Sequence, residues 1–496
     1  MDVVGSHRRN DGQVSILRQS LVLTTARVLT MLVQFVSPIF LVRILSPVDY
    51  GLYQEFILYA MLSVSFIEFS ASSNLLYFVP RDSARERAYI TGTAVLNLLF
   101  TAIGVAAIIL FHGRLGELTS WDITTPLLAY VITYVNLDFL EMYWIATRRT
   151  TNVLYYGLTL AVLRTLVVVL VAHYTQSVVS MVYALVAFQT AKCLFVGAYL
   201  LRKRLLLWKV NWDVVRAQMR FIVPLGAAAV VLYFNNEISK VIVSAQLGAI
   251  ALAMYSVGSR QIPFTGIIRA SVSDVVFPEI VRLNTTDPRH GLALWKRTNL
   301  IQTFLVAPIF FSAFFYADVI ITTLFTAEYI KAVPIFRIYL LLMLFKDSIE
   351  MGAPLRAMHR NRVFIYGNIL SLAVNVGLLY GLFRVYPYYG PAAAFVATTA
   401  ALQVFLGSQI IRAYGVHFRE LFLWRKHVYV AGVAVFLVPV MQLGEVLFGT
   451  SLATAAAFGI MYFLLYLLIV RLLRIEEIDA IVNRTVGKLR GMLARA

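Results

Sequence analysis

The chain contains one cysteine in 496 residues, Cys193, so no internal disulfide can form and the residue gives no clue to redox compartment. Charge is also scarce: Asp, Glu, Lys and Arg together make up 14% of the chain, against roughly a quarter in soluble domains. With 60% apolar residues and a mean hydropathy of +0.78, that deficit excludes a water-soluble globule and makes the bilayer the main solvent. Acidic residues are the scarcer sign, 25 against 43 basic, for a net charge of +18. Nucleic acid would be one partner for such an excess, but the surplus lies on connectors between apolar spans, where topology and anionic headgroups account for it. No nucleic-acid binding is expected. The seven histidines, His7, His112, His173, His290, His359, His417 and His427, all fall in loops or at helix ends, so no metal centre is expected in the membrane. No GxxxxGK[ST] phosphate loop is present and no cytoplasmic connector can hold a nucleotide domain, so no cofactor is expected. The longest outer connector, 112–122, carries no acidic or basic constellation, which argues against a membrane glycosyltransferase or ligase. The first thirteen residues carry Arg8 and Arg9 without a short apolar core and cleavage site, so the first helix reads as an uncleaved anchor.

What the chain has is apolar spans. Stretches of about 20 residues without a charged cluster predict an all-α polytopic membrane protein with 14 transmembrane helices. They fall near 21–42, 50–78, 89–111, 124–146, 153–172, 177–200, 221–245, 250–278, 299–317, 333–355, 363–383, 391–411, 427–444 and 451–470. Four basic residues, Arg43, Arg114, Lys331 and Arg384, lie on one set of alternate connectors and eight lie within spans, which leaves 31 of the 43 on the other set and the termini. The positive-inside rule then places both termini in the cytoplasm of an inner-membrane protein.

The longest inner connector, 202–220, divides these spans into six and eight. The expected organisation is an N-lobe at 1–201, a C-lobe at 221–413, two peripheral helices at 414–470 and an amphipathic cytoplasmic tail at 471–496. Sliding the second part by 202 residues sets Leu45-Ser46-Pro47-Val48-Asp49-Tyr50-Gly51-Leu52-Tyr53 against Leu247-Gly248-Ala249-Ile250-Ala251-Leu252-Ala253-Met254-Tyr255. Both lobes begin on the cytoplasmic side, so the repeat is parallel with a pseudo-two-fold axis along the membrane normal. Such pairs form two-lobed carriers.

The first of these turns resembles the Leu-Gly-Pro-x-x-Tyr-Gly-x-Tyr turn of Wzx-type oligosaccharide flippases, in the multidrug/oligosaccharidyl-lipid/polysaccharide exporter superfamily. Tyr255-Ser256-Val257-Gly258 resembles the opening of that family's eighth helix, Val276-Phe277-Pro278 its close, and Leu324-Phe325-Thr326-Ala327-Glu328-Tyr329 the stretch before its tenth. Ser46 and Thr326 stand where the family commonly has glycine. The resemblance implies a flippase for polyprenyl-diphosphate-linked oligosaccharide, acting in O-antigen or exopolysaccharide assembly beside glycosyltransferases and a polysaccharide polymerase. A multidrug or cation exporter and a peptidoglycan-precursor flippase of the same superfamily are the alternatives.

Charges within the spans mark candidate sites, because an ionised group at mid-bilayer costs roughly 2.5 to 3.5 kcal/mol on insertion scales. Arg27, Lys240, Arg260 and Arg269 are the expected substrate-binding cations, since guanidinium groups match phosphate oxygens with paired hydrogen bonds. In the alternative reading each arginine pairs with Glu55, Glu68 or Asp274. By helical phase Arg260 and Asp274 share a face, and Arg269 points away unless Pro263 bends the helix. Asp138 and Glu141, three apart on the fourth helix, are the expected site for a coupling H+ or Na+, with Glu68 and Glu237 as further carboxylates; pairing of Asp138 and Glu141 with Arg164 is the alternative. Glu237 with Lys240, and Lys346 with Glu350, are spaced to neutralise each other. Lys192 reads as a side chain reaching back to the interface. In the tail, Ile475, Ile478, Val482, Val486, Leu489 and Leu493 recur at helical spacing, which predicts a helix lying on the inner membrane surface.

Overall fold

Apolar spans in lipid must close their backbone hydrogen bonds internally, and the computed structural model accordingly consists of helices with no strand among the described residues. It describes residues 3–360 and 362–479, with side chains from Val22 onward apart from several near the start of the helix Pro263–Thr286.

The chain divides into two compact units, Met1–Ala253 and Met254–Ala496. In the first lie α1 (Val3–Ile44), α2 (Pro47–Glu68), α3 (Leu75–Arg81), α4 (Glu86–Leu110), α5 (His112–Leu118), α6 (Thr124–Val135), α7 (Leu140–Ala146), α8 (Thr150–Thr175), α9 (Val178–Arg202) and most of α10 (Trp212–Gly258). There α1 packs along α8, α8 along α9, and α6 against α2 and α9. The second holds α11 (Pro263–Thr286), α12 (Pro288–Phe315), α13 (Ala317–Phe325), α14 (Val333–Leu342), α15 (Gly352–Ala357), α16 (Arg362–Val385), α17 (Gly390–Tyr414), α18 (Trp424–Phe436), α19 (Val438–Phe448) and α20 (Leu452–Leu472). In it α11 pairs with α12, α16 with α17, and α18 with α12. The last helices are tied down by buried tyrosines: Tyr466 Oη donates to the Phe304 carbonyl at 3.0 Å and Tyr462 Oη to that of Ala434 at 2.9 Å.

The turn after α1 has a local physical cause. Ser46 caps α2 by accepting from the Asp49 amide at 3.1 Å, Pro47 opens the helix, and Asp49 sits in the first turn, where the helix dipole favours negative charge. Gly51 is required by packing: a Cβ there would strike the backbone of Ala249 on α10.

Among the described residues, ten helices are long and apolar enough to cross a membrane, or eleven if the pair Pro47–Glu68 and Ala71–Arg81, bent by 43°, is one span. The count of 14 is therefore not reached by continuous helices, because three expected spans are interrupted. The fourth, 124–146, breaks between α6 and α7, where Leu137 has φ 65°. Polar side chains take up the freed carbonyls: Asn97 Nδ2 donates to Val135 O at 3.0 Å and Asn136 Nδ2 to Ile132 O at 2.8 Å. The eighth, 250–278, unwinds between Gly258 and Pro263, a proline that cannot continue the helix behind it. The tenth, 333–355, passes from α14 into a π-helical turn, Met343–Asp347, and then unwinds before α15.

The start of the tail also departs from expectation. Ile475 and Ile478 are buried with Val430, Ala434 and Val470 in a helix core and do not lie on a lipid surface. Val482, Val486, Leu489 and Leu493 lie outside the described residues.

Candidate functional site

Each interrupted span carries charge at its break. In the second unit, the unwound segment 259–262 holds Arg260, and the π-turn holds Lys346 and Asp347. One Asp347 oxygen accepts from Thr265 Oγ1 at 2.7 Å and the other lies 3.6 Å from Arg269 Nε. Arg260, Lys346 and Asp347 line a cavity of about 10 Å³ together with Tyr339, about the space of one water. Lys346 interacts electrostatically with both Arg269 and Asp347. Among the described residues three cations thus lie about the carboxylate-bearing cavity of Asp347, and the Nε atoms of Arg260 and Arg269 are buried without a hydrogen-bond partner.

The break at Pro263 is the condition under which helical phase allowed Arg260 and Arg269 to be grouped. A continuous helix would separate Arg260 from Arg269; with the helix unwound, Arg260 lines the cavity beside Asp347 while Arg269 faces that carboxylate. The spacing of Lys346 and Glu350 misled. The helix ends between them, and Glu350 instead forms an ion pair with Arg356. The Asp274 side chain lies outside the described residues.

In the first unit, Asp138 sits in the break between α6 and α7, where it forms an ion pair with Lys192 of α9. Lys192 Nζ also lies 5.1 Å from the centre of the Tyr134 ring. The lysine is therefore drawn inward to a carboxylate and does not reach back to the interface. Glu141 interacts electrostatically with Asp138, Lys192 and Arg27, and Glu68 with Asp138, so the two predicted carboxylates share one electrostatic cluster although no continuous helix joins them. Arg164 pairs with neither of them by hydrogen bond; it bonds Tyr53 and faces Tyr130 and Tyr134. Arg27 is exposed on α1. Lys240 and Glu237 form the expected pair at 2.8 Å.

Among the described residues no arginine binds Glu55 or Glu68. Glu68 accepts from the Ser72 amide at 3.2 Å and stabilises the bend after α2. Glu55 is fully buried and accepts from Ser120 N at 3.0 Å, Ser120 Oγ at 3.2 Å and Ser244 Oγ at 2.9 Å. Sequence reading treated Glu55 only as a partner for arginine. No local signal marks it otherwise, because its partners lie 65 and 189 residues away. Lys346 was likewise missed as a site residue. Among the described residues no group of three or more His, Cys, Asp or Glu is placed to hold a metal ion.

Solved structures share this helical arrangement. The structure titled "Lipid II flippase MurJ, inward closed conformation" is similar over 88% of this chain and 97% of its own, with a TM-score of 0.69 at 14% identity. An inward-facing multidrug resistance MATE family transporter of the MOP superfamily is similar over 78% of this chain and 94% of its own, with a TM-score of 0.56 at 13% identity. At these identities the likeness establishes the fold. A search of curated proteins finds no match. A family model described as "Polysaccharide biosynthesis protein" matches residues 40–334, more than half of the chain, and the protein belongs to that family.

Proposed function

We propose that the protein is a flippase that moves a polyprenyl-diphosphate-linked oligosaccharide from the inner to the outer leaflet of the cytoplasmic membrane for surface-polysaccharide assembly. The observation that carries the reading is the placement of Arg260, Arg269 and Lys346 about the cavity that Asp347 lines, with no second carboxylate there among the described residues. Guanidinium groups whose Nε atoms have no hydrogen-bond partner suit phosphate oxygens, which accept from them in pairs. Membership of a polysaccharide biosynthesis family and a MurJ-like and MATE-like fold support it.

Arg27 and Lys240 are further cations along the headgroup's path, with the lipid tail remaining in the bilayer and two lobes rocking to alternate access. Both termini are cytoplasmic in this proposal, and glycosyltransferases and a polymerase supply and consume the substrate. Asp138 and Glu141 are the proposed coupling site for H+ or Na+. Glu68 and Glu237 are further candidate carboxylates for that ion; Glu68 accepts from the Ser72 amide and Glu237 pairs with Lys240, as Asp138 pairs with Lys192. A lipid II flippase is the second reading, prompted by the MurJ likeness.

The test is transport of a lipid-linked oligosaccharide into the outer leaflet of proteoliposomes by wild type, Arg260→Gln and Arg269→Gln, with lipid II as the competing substrate. Loss of oligosaccharide transport in well-folded variants supports the proposal. Wild-type rates in both variants, or transport of lipid II alone, overturn it. Asp138→Asn across a pH and sodium series tests coupling: an unchanged dependence removes Asp138 from that role.

A further inference from the structure

Beside the charged cluster of the first unit lies a laterally open groove of about 520 Å³ between α8 and α9. Its walls include Trp144, Tyr155, Tyr156, Phe188 and Phe195, and it extends inward to Lys192. The aromatic wall is rigid: Trp144 packs edge-on against Tyr156 and Tyr199, and its indole N–H donates to Tyr199 Oη at 3.3 Å. The groove opens on a lipid-facing surface, for Leu163, Leu194 and Phe195 are 45%, 69% and 56% exposed on helices that cross the membrane.

Its depth and rim identify the occupant. The lining runs from Asn152 to Leu163 on α8, about 16 Å of helix, roughly half of a 30 Å hydrocarbon core and so one leaflet deep. Because α8 and α9 are a hairpin of similar length, the start of one and the end of the other share a membrane face. That face carries Arg148, Arg149, Arg202, Lys203 and Arg204, all exposed. Trp208 and Trp212, also exposed in the connector that follows, suit the headgroup level.

We propose that this groove binds one acyl chain of an anionic glycerophospholipid, whose phosphate is held by the basic rim. A chain seated there closes the lipid-facing side of Tyr156 and Lys192 and keeps water from the Asp138 ion pair. The site is distinct from the proposed diphosphate site. Among the described residues the one cation lining it at depth is Lys192, which Asp138 already neutralises, whereas further positive charge lies at the rim, where a phosphodiester sits. The proposal does not depend on the transported substrate.

The test uses the full-length protein in nanodiscs containing phosphatidylglycerol or phosphatidylcholine with brominated acyl chains, which quench nearby tryptophan fluorescence. The Trp144 contribution is isolated by subtracting Trp144→Phe, and native mass spectrometry counts retained phospholipid independently. Quenching of Trp144 is expected at about fivefold lower mole fraction of the anionic lipid, in line with the attraction of several basic residues. Ala191→Phe, which fills the groove from an exposed position, should abolish that preference and the retained lipid, and the surface double variant Arg149→Gln/Arg202→Gln should reduce both. Equal quenching by the two lipids, or retained lipid in Ala191→Phe, overturns the proposal. So does relief of quenching by a few equivalents of polyprenyl phosphate, which would assign the groove to a polyprenyl chain.

Discussion

Removing Lys192 tests whether the interrupted fourth span is held by charge. Its side chain is 11% exposed and that of Asp138 27% exposed, so both are largely out of water and screening is slight. Taking one partner from such a pair costs about 3 to 5 kcal/mol, because it strands the other charge. Interhelical polar contacts in bilayers are weaker, averaging about 0.6 kcal/mol, since the unfolded chain in lipid also finds partners. An ion pair lies between these limits, and Lys192→Met should cost about 2 to 3 kcal/mol. Asp138→Asn should cost less than Lys192→Met, because it also relieves repulsion from Glu141 and Glu68. The double variant should then be more stable than the sum of the singles implies, by a coupling of about 1 to 3 kcal/mol. Detergent-denaturation midpoints of the purified full-length protein supply all four corners of the cycle. Single losses that add within about 0.5 kcal/mol, or a costlier Asp138→Asn, would refute the reasoning.

Glu55→Gln keeps an acceptor for Ser120 and Ser244 and should be tolerated, whereas Glu55→Ala strands buried donors and should cost about 1 to 3 kcal/mol; thermal midpoints separate the two. Thr326 has φ 75° and ψ 161°, a conformation suited to glycine that costs other residues of order 1 to 3 kcal/mol. Thr326→Gly should therefore raise the midpoint despite its greater unfolded-chain entropy. Burial pushes the Glu477 carboxyl up, but hydrogen bonds and charge from Lys426, at 2.6 and 2.7 Å, bring it net below its ordinary 4.5. A depressed carboxylate stabilises the fold above its unfolded value, and that contribution is lost as pH falls through the folded value. Protease cleavage after Leu473 should rise on acidification from neutral to about pH 3.5 in wild type, with little pH dependence in Lys426→Gln.

Hydropathy and charge alternation made the all-helical membrane fold legible, since both are local properties of 20-residue windows. The turn at Leu45–Tyr53 was legible too, and the structure explains the serine that stands there in place of glycine. Ser46 has φ −63° and gains a capping bond that glycine lacks, whereas Thr326 accepts a strained backbone. Helical phase misled in the interrupted fourth and tenth spans. It paired Lys346 with Glu350 and placed Asp138 and Glu141 on one continuous face. The amides of Asn97 and Asn136 that sustain the break at Leu137 become recognisable only once their carbonyl partners are known. Pro263 was the one break visible in advance, because proline disrupts a helix from its own ring.

The interrupted fourth span bears on how the chain is made. A translocation channel releases a segment sideways into lipid when about 20 apolar residues partition together, yet α6 has 12 residues and α7 has 7. Neither meets that threshold alone, and Asp138 between them opposes their joint release until Lys192, synthesised 54 residues later, arrives to compensate it. Stable insertion of the fourth span is therefore expected to depend on α9, which couples two segments separated in the order of synthesis.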